Sequence, residues 1–266
     1  MVATEILLGC VYLIFAGLNL ECICDFRMSG EQYFSQVGQD RYLDKTVFQG
    51  LRGGVFVDVG AHDGETISNT AFFEKHRDWT GVCVEARGDL AKKCREARPA
   101  SAVIECAVAN REGTMEFLAC EGYTDMLSGL AETMPTQTRS RIDREQKAHG
   151  GWAEKRQVQV CRLADILEGV SIKRVHYLSV DVQGAEFEVL QSLDFDEVQV
   201  DVVNFAANYP EAVTHVIEYM EAKGFERVFY DHPHQQYEVF MIRSNSEFRD
   251  NTKGPALNGQ TGPMGV

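Results

Sequence analysis

From residue 53 onward, short apolar runs alternate with helical stretches, and that rhythm limits the folds open to this chain. GVFVDVG is followed by SNTAFFEKHRDW, GVCVEA by GDLAKKCREA, and SAVIECAVA leads into GTMEFLAC. VHYLSVDV is followed by AEFEVLQSL, and VQVDVVNF by PEAVTHVIEYMEAKGF. Strands that alternate with helices of this length predict an α/β fold, a mostly parallel sheet covered on both faces. Two further runs, ERVFYD and YEVFMIR, are joined only by DHPHQQ. A connection that short predicts an antiparallel last strand. Pro210 suits the first turn of a helix, Gly224 its C-terminal cap, and Ser68 or Asn69 the cap of the first crossover helix.

Three parts follow from composition. Residues 1–30 form a hydrophobic N-terminal segment, 31–246 the main domain, and 247–266 a Gly/Pro/Asn-rich tail expected to be disordered. The apolar run at 6–20 falls short of the about 20 residues that span a bilayer, and no Lys or Arg precedes it. A membrane anchor through 6–26, an atypical signal peptide and a docked helix all remain open; without an anchor the chain is expected to be cytoplasmic. Within the domain, the polar stretch 130–157 breaks the rhythm and reads as an insertion, a solvated helix or mobile lid with no clear strand. The net charge of −14 would repel a phosphate backbone, so nucleic acid is not an expected partner. Most of the eight cysteines are expected to be free thiols.

The first strand ends in Asp58 and breaks into Gly60-Ala61-His62-Asp63-Gly64. In open α/β sheets ligands bind at the carboxyl ends of strands, and glycines there permit close backbone approach. The second strand ends in Glu85, where a carboxylate can accept both hydroxyls of a ribose. The two acids of the turn region, Asp63 and Glu65, would oppose a pyrophosphate, which leaves a dehydrogenase the weaker option. They suit a ligand carrying an ammonium and a sulfonium.

YFSQVGQDRYL at 33–43, FVDVGAHDGETISNTAFFEK at 56–75, WTGVCVEA at 79–86, LSGL at 127–130 and LSVDVQGAEFEVL at 178–190 occur in order. Together they resemble the FkbM family of S-adenosylmethionine-dependent methyltransferases, and in particular its branch of invertebrate Star-like membrane proteins. The resemblance implies a Rossmann-like, class I methyltransferase sheet of seven strands with an antiparallel last strand, and S-adenosyl-L-methionine as cofactor. It implies that Asp58, Gly60, Ala61, His62 and Gly64 surround the methionine part, that Glu85 takes the ribose, and that Cys106 and Ala107 lie by the adenine. Gln36 and Gln39 would close the pocket from the N-terminal side. The acceptor is expected to be an oxygen of a small molecule, glycan or lipid headgroup; oligomeric state is left open.

Proton removal from such an acceptor needs a base, and Asp181, Glu186 and His232 are the candidates, with His234 beside the last. No metal is expected. The chain departs from the family pattern at Gln183, where an acid is usual, and at Gln235 and Gln236 before the last strand. Those departures support a second option, a membrane-tethered domain with reduced catalysis that binds another protein.

Overall fold

The structure, a computed structural model, describes residues 31–207, 210–229 and 238–252. The chain divides after Tyr33; residues 31–33 carry no regular element, and everything below belongs to the part from Phe34 onward. The hydrophobic segment 6–26, His232 and His234 lie outside the described residues. Among the described residues no helix is long and apolar enough to cross a membrane.

The chain enters through α1 (Gln39–Tyr42) and a π-helical turn, Leu43–Val47. Then follow β1 (Val55–Val59), α2 (Ala71–Arg77), β2 (Thr80–Val84), α3 (Gly88–Ala97), β3 (Ala102–Ile104), β4 (Ala107–Val108), β5 (Gly113–Gly122) and β6 (Gly129–Leu130). After them come α4 (Thr136–His149), β7 (Gly151–Cys161), α5 (Leu163–Gly169), β8 (Arg174–Val180), α6 (Glu186–Gln191) and β9 (Gln199–Ala206). The last elements are α7 (Pro210–Ala222), β10 (Phe225–Val228) and β11 (Glu238–Arg243).

Seven strands form one sheet in the order β10-β11-β9-β8-β1-β2-β3. β11 runs antiparallel to both neighbours, and the other pairs flanking β1, β2 and β8 are parallel. The expected seven-stranded sheet with its antiparallel last strand is therefore present. Strand order reverses between β1 and β8, so the crevice at their carboxyl ends is the ligand position for this topology. Val57, Val59, Val82, Leu178, Val180 and Val203 are fully buried in one apolar cluster. Because both faces of the sheet are covered, the central strands are near-continuous apolar runs rather than alternating ones.

The helix ends behave as their residues dictate. The Ser68 hydroxyl accepts from the amides of Thr70 (3.3 Å) and Ala71 (3.1 Å) at the start of α2. Gly224, just past α7, has φ +83°.

Two expectations are corrected. The stretch 130–157 is not strand-free: α4 is followed by the first residues of β7, which pairs with β5 from Gly113↔Val160 to Gly122↔Gly151. These strands, with β4 and β6, make a second sheet of four. β7 gave no alternation to detect because almost every one of its side chains is exposed or half-buried; the backbone ladder holds it. The expected tail also has structure over residues 247–252, and residues 253–266 lie outside the described residues. Phe248 is buried with its ring 5.1 Å from that of Phe48, and the Asn251 side-chain amide donates to the Val47 carbonyl (2.7 Å). One aromatic anchor and one hydrogen bond outweigh the polar composition.

Candidate active site

β1 alternates, so Val57 and Val59 face the apolar cluster while Asp58 faces the opposite side. There the Thr70 hydroxyl donates to Asp58 Oδ2 at 2.6 Å. Burial raises the Asp58 pKa, opposed by Thr70, the Arg98 charge and Ser179. Arg98 has no exposed surface. It donates to Glu74 (2.9 Å), the Gly64 carbonyl (3.1 Å) and Thr70 (3.0 Å), and lies over the Phe56 ring. Asp58 is therefore tied into a protein network at the end of β1. Its work is to anchor the loop that leads into α2.

The glycine turn has the backbone angles expected of it, φ +91° at Gly60 and +82° at Gly64. Its close approaches are to protein. A Cβ on Gly60 would lie 2.0 Å from the Asp181 carbonyl oxygen, and one on Gly64 would lie 2.8 Å from Arg98 and Cys94. Gly60 thus lets β1 and β8 close at the switch point, and Gly64 lets the turn seat on α3. Ala61 is buried, its amide bonded to the Val84 carbonyl (3.1 Å).

His62 carries the turn onward at φ +53°, a left-handed conformation that histidine tolerates better than most residues. Its amide donates to Glu85 Oε2 (2.9 Å), and the Arg87 amide donates to Oε1 (2.8 Å). Glu85 is only 7% exposed; burial raises its pKa and these two amides oppose the rise. Each carboxylate oxygen still has a lone pair beyond its one backbone donor. The His62 ring sits between two acids, Nδ1 3.7 Å from Asp63 and Nε2 3.6 Å from Asp125. Burial alone would lower its pKa; the two carboxylates outweigh it and push the value up to about 9. The ring is therefore an imidazolium at neutral pH.

Cys106 and Ala107 are both buried. Cys106, in a bend rather than within a strand, neighbours Cys161, and burial pushes its thiol well up. Ala107 belongs to a small apolar cluster with Ala109, Phe117 and Leu130, against which Ala86 and Val182 pack. Ala86 follows Glu85 and Val182 follows Asp181, so this cluster forms an apolar wall between the ends of β2 and β8. Five cysteines are free among the described residues.

On the other side of the switch point stand further carboxylates. Asp181 is exposed to solvent, yet it is surrounded closely enough that desolvation and Asp58 push its pKa up to about 6. Gln183, at φ +57°, donates to it through Nε2 (2.9 Å). Glu186 accepts from the Gly184 amide (3.1 Å), and burial raises it to about 7. Glu238, the first residue of β11, was not singled out in the sequence. Burial and the charge of Asp181 raise it to about 8, while Asn204 donates to it at 2.7 Å and Gln39 bonds it from the N-terminal side. Tyr177 in turn donates to Asn204 (3.2 Å). Glu238 stands two residues past Gln236, at the start of the last strand. Among the described residues no group of His, Cys, Asp and Glu is arranged to hold a metal ion.

The donor set at β1 and β2 fits a cationic, ribose-bearing cofactor. Glu85 retains accepting capacity, the neighbouring wall is apolar, and acids outnumber cations around the turn. Asp125 Oδ1 and both His62 ring nitrogens are buried without a partner in hydrogen-bonding geometry, the ring being held between Asp63 and Asp125 at ion-pair distance.

A family model described as a methyltransferase FkbM domain matches residues 58–227. A 76-residue stretch is 41% identical to "Methyltransferase 1" of Beauveria bassiana (strain ARSEF 2860), covering 26% of this chain and 29% of that protein. The crystal structure of methyltransferase FkbM from Methylobacillus flagellatus KT aligns with TM-score 0.46 and 12% identity over 82% of this chain and 46% of its own. The METTL16 MTase domain aligns with TM-score 0.46 and 8% identity over 78% of this chain and 66% of its own. The chain thus spans under half of the first two proteins.

Proposed function

The chain belongs to the methyltransferase FkbM domain family, and from that premise we propose that it binds S-adenosylmethionine and methylates an oxygen acceptor. S-adenosylmethionine, when bound, supplies an electrophilic methyl group. Glu85 accepts from the ribose hydroxyls, the wall of Ala86, Ala107 and Val182 faces the adenine, and the glycine turn faces the amino-acid end. Asp181, Glu186 and Glu238 orient the acceptor hydroxyl and take its proton. Gln183 fixes Asp181 and Asn204 fixes Glu238.

The observation that carries this reading is the trio of carboxylates whose pKa values stand near 6, 7 and 8. A base works best when its pKa lies near the operating pH, and perturbed carboxylates converging at the switch point mark a working site. Glu238 also weakens one ground for a domain with reduced catalysis, the missing acids; its other grounds, the hydrophobic N-terminus and the Star-like resemblance, are untouched. The acceptor class, a small molecule, glycan or lipid headgroup, is proposed on the same ground: a neutral hydroxyl suits a site of acids and amides.

Calorimetric titration with S-adenosylmethionine tests the reading. The expected result is micromolar binding that Glu85→Gln weakens by about tenfold, the size of one charged hydrogen bond. No heat at high-micromolar ligand overturns it.

A further inference from the structure

β5 is the covered strand of the second sheet. On one face its Met115, Phe117 and Ala119 are buried in the cluster shared with Ala107 and Leu130. On the other face Cys120 is buried with Leu127, Met134 and Ile142 of α4. β7 lies one strand further out, beyond both covers. One of its edges is filled by β5; the other meets β4 only at Val160 and Cys161. Among the described residues no strand pairs with that outer edge over 151–159. Every residue of the stretch is exposed or half-buried. Such an edge presents unpaired main-chain N–H and C=O groups, to which another strand can add.

The free stretch is its own complement. Its midpoint is Lys155. Antiparallel pairing of two copies about a two-fold axis at Lys155 uses the whole free edge. It sets Glu154 opposite Arg156, Trp152 opposite Val158 and Ala153 opposite Gln157. Opposite charges, and an aromatic facing a β-branched residue, are favourable cross-strand pairs. Trp152, Glu154, Arg156 and Val158 share one face because side chains alternate along a strand. Within one chain Arg156 already bonds Glu154 and lies over the Trp152 ring. Lys155, on the other face, meets its own copy at the axis, but its ammonium is held by Glu116 of the same chain at 2.7 Å. Moving the axis by one residue shortens the ladder and loses both Glu154–Arg156 pairs. Charged residues on an edge discourage unspecific pairing; in this order they admit the same edge reversed.

We infer that the outer edge of β7 is an interface for a second copy of this chain, paired antiparallel over 151–159 about Lys155. The two four-stranded sheets then continue into one another. A two-fold interface uses the same patch on both copies, which a self-complementary edge supplies. With no broad apolar face behind it, the contact belongs with small, weak interfaces. The inference is independent of the cofactor reading.

Sedimentation velocity tests it on the full chain, with Glu154→Arg, Arg156→Glu and an equimolar mixture of the two variants. The wild-type chain is expected to pass from monomer to dimer between about 1 and 100 µM. Each single reversal sets like charges opposite one another on both sides of the axis. It is expected to weaken dimerisation by about tenfold or more. In the mixture each copy supplies the charge the other lacks, so dimers are expected to return in the wild-type concentration range. A variant that merely misfolds cannot be rescued by mixing. A wild-type chain that stays monomeric at about 100 µM overturns the inference. So does a dimer that neither reversal weakens, because it is held elsewhere, the N-terminal segment included. Loss in both variants without recovery in the mixture overturns the self-pairing as well.

Discussion

Two halves of one crevice surround their carboxylates with different partners. At the ends of β1 and β2, Asp58 and Glu85 accept from donors that also hold the turn: a hydroxyl backed by a buried guanidinium for one, two main-chain amides for the other, with a lone pair left on each Glu85 oxygen. Across the switch point, Asp181 has one neutral donor, Glu238 two and Glu186 three, and the three carboxylates repel one another. Donors to a carboxylate stabilise its charged form, whereas burial and like charges stabilise the neutral one. Burial raises all five carboxylates; in the first half the donors belong to the turn and its helix, whereas in the second the carboxylates also raise one another. A transferase needs both a rigid seat for the donor and a titrating group for the acceptor.

The most damaging way to break this contrast is at Arg98. Arg98→Met removes the cation shared by Asp58 and Glu74 and leaves two buried carboxylates without it. It is expected to cost about 3–5 kcal/mol of folding stability in urea denaturation. A cost under about 1 kcal/mol would mean that the donor half is not held as described. Glu238→Gln attacks the other half and leaves the fold intact. Methyl transfer is expected to fall about a hundredfold, with donor affinity unchanged.

The pH dependence of stability sharpens the same contrast. The folded-state pKa values of Asp181, Glu186 and Glu238 lie above the ordinary carboxylate range. These groups are therefore protonated more readily in the folded chain than in the unfolded one. Stability from that preference is fully present below about pH 4 and is lost as pH rises through 6 to 8. The melting temperature is expected to decline over that window, and Glu238→Gln is expected to flatten the decline near pH 8. An unchanged slope in the variant would remove Glu238 from the trio. The smallest expected effect belongs to Gln183→Glu, which places a fourth carboxylate beside Asp181. It should shift the acidic limb of the pH–rate profile upward by about one unit or less.

The sheet was legible because its strands are buried on both faces and announce themselves as apolar runs. The second sheet was not, since β7 runs from Gly151 through Trp152 and Lys155 to Gln157 with scarcely a buried side chain. Its stability comes from backbone pairing, which leaves no mark in composition. Glu85 and Asp181 could be found as acids ending apolar runs. Glu238 opens one, and only the antiparallel direction of β11 carries it to the same end of the sheet as Asp181. Arg98 reads as an ordinary charged helix terminus in KKCREARPA; burial beneath the glycine turn is a tertiary property. Asp125 is brought to His62 by the second sheet, so it was hidden with that sheet.

The most direct test of the contrast is a carboxyl-carbon NMR titration of the full chain with labelled aspartate and glutamate. The account predicts at least one carboxyl resonance with a midpoint between pH 6 and 8 that is lost in Glu238→Gln. If every carboxyl titrates below pH 5, the acceptor half holds no proton-exchanging group and the account is contradicted.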